Sequence, residues 1–68
     1  MNEDVILCKA LQIWQEMSDN EKAAVRFGMI PAERAATLIH SMEIVHDSAR
    51  IAAVAFMECA KRDGGMVC

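Results

Sequence analysis

Two histidines and two carboxylates fall close together at His40, Glu43, His46 and Asp47. Glu43 and His46 have the Glu-x-x-His spacing that projects two metal ligands from one helix in di-iron bundles. One copy does not complete a site. The bridging glutamates would have to come from Glu16 or its neighbours, and nothing in the pattern turns those inward. The expectation is therefore a solvated face on which Glu43 or Asp47 pairs with Arg50, with no metal and no other cofactor. His46 would make an interface respond to pH near neutrality only where it is covered.

The cysteines give no better chemistry. Cys8, Cys59 and Cys68 form no CxxC, and no HxxxH accompanies them, so a structural zinc lacks its ligand set. No activating base lies near any of them, and the chain has no glycine-rich phosphate loop and no serine-centred motif. It is read as a protein that is not an enzyme. Cys8 and Cys59 lie on or beside apolar stripes and are expected to behave as small hydrophobes, leaving Cys68 as the thiol open to oxidation. An odd cysteine count behind an N-terminus of Asn2, Glu3 and Asp4, with no secretory signal, points to a reducing cytoplasm.

The elements that carry these residues must come from 68 residues that are 54% apolar, with ten acids against seven bases and a net charge of −3. Such a chain makes one small unit, expected over 1–63 with a loose tail at 64–68. Ordering it costs about 100 kcal/mol at roughly 1.5 kcal/mol per residue, and a core of this size rarely returns much more. Oligomerisation or a partner is the remaining source of stability. Nucleic acid is not the expected partner, because an acidic chain offers phosphate no electrostatic footprint. Nor is a membrane: a charge-free run such as Ile51 to Met57 is far below the ~20 residues of a span.

Alanine, methionine, glutamate and leucine dominate, so the fold class is all-α. Asn2 can cap a first helix whose stripe is Ile6, Leu7, Ala10, Ile13, Trp14 and Met17, with Lys9, Gln12 and Glu16 on the wet side. Ser18 with Glu21 fits a capping box for a short second helix ending near Phe27. Gly28 suits a left-handed C-terminal position, and Pro31 opens the next helix. From Pro31 to Asp63 there is neither proline nor glycine, which predicts one helix about 50 Å long at ~1.5 Å per residue. A break at His46 to Ser48, capped by Asp47 or Ser48, is the alternative.

Along that helix Leu38, Met42, Val45, Ala49, Ala52, Phe56 and Cys59 alternate steps of four and three. This seam, flanked by Ile39, Ala53 and Ala60 on one side and Ile44, Ile51 and Ala55 on the other, is wider than a short hairpin partner would cover. The expected architecture is a helical hairpin-like unit of helix, short helix and long helix, forming a homodimeric bundle through the remainder of the seam.

The corner before the long helix is the second candidate surface. Phe27 is placed to close the turn in the core, with Trp14 also in the core. Phe27, Met29 and Arg34 together could form a partner-binding corner. The segment AAVRFGMIPAERAATL resembles a helix-turn-helix, which implies a DNA-binding transcriptional regulator whose Pro31 helix enters a groove. Registered on Ala24 and Gly28, the second helix places Arg34 and Thr37 where apolar residues belong, and it offers little for phosphates or bases. The reading preferred is a small cytoplasmic regulator or inhibitor that binds a protein partner and self-associates.

Overall fold

The computed structural model describes residues 3–62. Within them lie four helices and no strand: α1 (Glu3–Glu16), α2 (Asp19–Arg26), α3 (Ala32–Met42) and α4 (Ser48–Lys61). The expected Asn2 cap and the tail 64–68, with Cys68, lie outside the described residues.

The stripe of α1 faces inward. Ile6, Ala10, Ile13, Trp14 and Met17 are buried, Leu11 widens the stripe, and Leu7 packs half-buried against it. Gln12 and Glu16 are exposed, whereas Lys9 is half-buried. The chain then turns into α2 through the capping box: the Glu21 amide donates to Ser18 Oγ at 3.2 Å, and the Ser18 amide donates to Glu21 Oε1 at 3.0 Å. These two bonds satisfy donors that the first turn of a helix leaves unpaired.

The ends of α2 and α3 share one geometry. After α2, Gly28 takes φ +85°, the Met29 amide donates to Ala24 O and the Gly28 amide to Val25 O, both at 2.8 Å. After α3 the same pair recurs, the Ile44 amide donating to Ile39 O at 3.1 Å and the Glu43 amide to His40 O at 3.3 Å. Both are Schellman closures, which favour glycine at the left-handed residue. At the second that residue is Glu43, at φ 54°, and Asp47 at φ 51° is left-handed as well.

The single long helix from Pro31 to Asp63 is therefore corrected to two helices folded back on each other. The alternative break holds, with α4 starting at Ser48 and Asp47 at its N-cap position, although the Asp47 side chain makes no cap hydrogen bond. Left-handed backbone costs a non-glycine residue about 1–2 kcal/mol. Against this the reversal buries Ile44, and it folds α4 back over α1, α2 and α3 with Ala52, Ala55, Phe56 and Cys59 buried. A single buried Phe or Ile side chain contributes about 1.5–3 kcal/mol, so the burial outweighs two strained residues. The result has a radius of gyration of 10.7 Å. In it α4 packs against each of the other three helices, and α1 also packs against α3.

Candidate interaction surfaces

At the α2–α3 corner the residues on either side of the turn hold it to the core. Val25 is buried and Ile30 packs half-buried against the cluster. The closure between them throws Phe27 and Met29 outward, to 85% and 68% exposure. The expectation that Phe27 closes the turn from inside is thus corrected: Val25 fills that place, and Phe27 stands in solvent.

Arg34, the third residue expected at this corner, is engaged inside the chain. Its Nε donates to Glu21 Oε2 at 2.9 Å and its Nη2 to Glu21 Oε1 at 3.2 Å, while Nη2 also reaches the Glu16 carbonyl oxygen at 3.5 Å. The fork ties the first turn of α3 to the start of α2 and the end of α1. Glu21 thereby serves two partners. The Arg34 hydrogen bond, then the Ser18 amide, hold its carboxyl down to about 2, and the same bond raises Arg34. Since α3 contains no other lysine or arginine, a DNA-reading helix here would have to give up this bracket.

The seam does not present one face. Leu38, Ala52, Phe56 and Cys59 are fully buried in the intrachain core and Met42 packs half-buried at its edge. These residues cannot also meet a partner while the chain is folded this way. Val45 is 82% exposed and Ala49 is exposed as well. The split follows from the reversal at Glu43 and Asp47, which turns the two ends of the seam onto one core and leaves its middle outside.

Beside that middle lies an open groove of about 800 Å³. The first turns of α1, the α3–α4 connection and the outer side of α4 form it, with Leu7, Ile44, Val45, Ile51 and Val54 as apolar lining. Arg50, Glu58 and Arg62 are among the charged residues around it, and Val54 is 62% exposed. The groove was not legible in the sequence, because it exists only where α4 folds back.

The remaining chemistry is sparse. The reversal takes Glu43 and His46 off any common helix, and His40 and His46 are both exposed. Asp47 pairs with Arg50 at 3.7 Å. Among the described residues no group of three or more His, Cys, Asp or Glu side chains is placed to hold a metal. Cys59 is a buried free thiol, and its burial pushes it up to about 11. Cys8 is half-buried and disulfide-bonded, which corrects its reading as a small hydrophobe with a free thiol. Trp14 is buried in the core, as expected, with Lys22 Nζ and Arg26 Cζ at 5.9 and 5.6 Å from its ring centre. Among the described residues no helix is long and apolar enough to cross a membrane. Compared with protein-family models, with curated proteins and with solved structures, the chain matches none.

Proposed function

We propose that this chain is a small non-enzymatic helical module that binds a protein partner and self-associates, acting as a regulator or inhibitor by occlusion or assembly. The observation that carries this reading is the exposure of Phe27 and Met29 on one tight turn. The chain has one tryptophan and two phenylalanines. It buries Trp14 and Phe56 and leaves the second phenylalanine in water. Burial would return about 1.5–3 kcal/mol for such a side chain, which a partner pocket can supply. A flat aromatic beside an adaptable methionine, on a turn pinned from beneath by Val25 and by the Glu21–Arg34 fork, is a pre-ordered anchor.

The test is co-purification of the tagged full chain from its native cell, in reductant and after nuclease, beside a variant carrying Phe27→Ser and Met29→Ser. A stoichiometric protein held by the wild type and lost by the variant, with unchanged helical circular dichroism, supports the reading. Retention by the variant overturns it. Association that disappears with nuclease overturns it in favour of the helix-turn-helix reading.

A further inference from the structure

We propose that the α3–α4 connection is a hinge, and that two copies of this chain exchange α4 by straightening it. This deepens the self-association in the reading above and rests on that part alone, not on the Phe27–Met29 corner.

Three observations converge. First, the turn is held open to the alternative: its left-handed positions are Glu43 and Asp47, where glycine would be at ease, and a straight helix would relieve both. Short hinge loops under strain favour exchange of the element they connect. Second, nothing from Ala32 to Lys61 forbids a continuous helix, because that stretch contains no proline or glycine. Third, the four-three spacing from Leu38 to Cys59 runs through the break without a change of register.

The pattern of burial says what the exchange gains. α4 packs on α1, α2 and α3, so in an exchanged pair all of these contacts re-form between chains with the same partners. Free energy then differs at the hinge, where the two straightened helices cross, and at the Cys8 disulfide, which must open or re-form for α4 to exchange. Val45 and Ala49 are the seam members left exposed in the single chain, and both belong to that crossing. A valine and an alanine at the crossing point allow close approach of the two backbones. The occupant of this surface is therefore a second copy of the chain, antiparallel across the hinge.

The test refolds the full chain from denaturant, with the Cys8 disulfide reduced and then re-oxidised during refolding, at about 1 mM and about 10 μM, a range over which association during folding competes with closure. Size-exclusion chromatography with light scattering then reads the dimer fraction. The expected result is a dimer from the concentrated sample that persists on dilution, since reversal requires unfolding. A mixture of isotope-labelled and unlabelled chains refolded together shows contacts between the core side chains of α1 and α4 across chains. Replacing Glu43→Gly and Asp47→Gly together lowers the dimer fraction at least about tenfold, because glycine relieves the closed turn and weakens the straight helix. Val45→Glu, at a site exposed in the monomer, also lowers it. A dimer that dissociates on simple dilution, with α1–α4 contacts confined to one chain, overturns the exchange while leaving self-association in place. A monomer at both concentrations overturns both.

Discussion

At the scale of single residues, the Glu21 carboxylate carries more of the architecture than its surface position suggests. It closes the capping box of α2 and receives the Arg34 fork, so it links α2 to α3, while Arg34 in turn reaches the Glu16 carbonyl at the end of α1. Its pH behaviour follows from the direction of its shift. Folding lowers the carboxyl from 4.5 to about 2, so the folded state binds this proton less tightly than the unfolded chain does. The stabilisation is fully present above about pH 4.5 and is lost as pH falls towards 2. Urea midpoints measured at pH 6 and pH 2.5 are expected to fall further for the wild type than for Glu21→Gln, which has no proton to gain. Equal falls would show that the fork and box are not what acid removes. Cys59 shows the opposite direction for a different reason: burial raises its thiol to about 11 and also shields it. Its alkylation at neutral pH should therefore track global unfolding in rate and denaturant dependence.

At the scale of elements, local chemistry was legible and long-range burial was not. Ser18, Glu21 and Gly28 sit within a few residues of the groups they satisfy, and the sequence predicts both the start of α2 and its end. The end of α3 has the same hydrogen bonds as the end of α2, yet Glu43 stands where Gly28 stood. The sequence offers a restart at Asp47 or Ser48, where α4 does begin, but no local signal marks the stop at Glu43. What ends α3 is the burial of Ile44 and the return of α4 onto α1, contacts between residues far apart in the chain. The seam misled for the same reason: its spacing identifies residues sharing a helical face, but the bend decides that Leu38 and Phe56 close one core while Val45 is left out. Two substitutions separate the local and non-local terms. Ser18→Ala is expected to cost about 1 kcal/mol through loss of the cap. Glu43→Gly is expected to stabilise the monomer by about 0.5–1 kcal/mol, the strain relieved less the added freedom of the unfolded chain. Denaturant midpoints with unchanged slopes measure both. A loss at Glu43→Gly would mean that the glutamate side chain, not the backbone, maintains the turn.

At the scale of the whole molecule, the two phenylalanines divide stability from recognition. Phe56 is fully buried on α4, the helix that packs on all three others, whereas Phe27 is 85% exposed on a turn whose inner side is already filled by Val25. The residue type is shared and its surroundings differ, so truncation should have opposite outcomes. Phe56→Ala removes a ring from the centre of the core and leaves a cavity that a molecule only 28 × 23 × 16 Å in extent has little slack to close. A loss of about 3–5 kcal/mol is expected, a large part of the stability available to any small domain. Phe27→Ser removes a ring that already faces water, and its effect on stability should stay within about 0.5 kcal/mol. Thermal and urea unfolding of both variants decide this directly. If Phe27→Ser unfolds nearly as readily as Phe56→Ala, then Phe27 belongs to the core and the anchor at the corner is lost. If it is as stable as the wild type yet no longer holds a partner, the exposed ring serves binding, and the fold is complete without it.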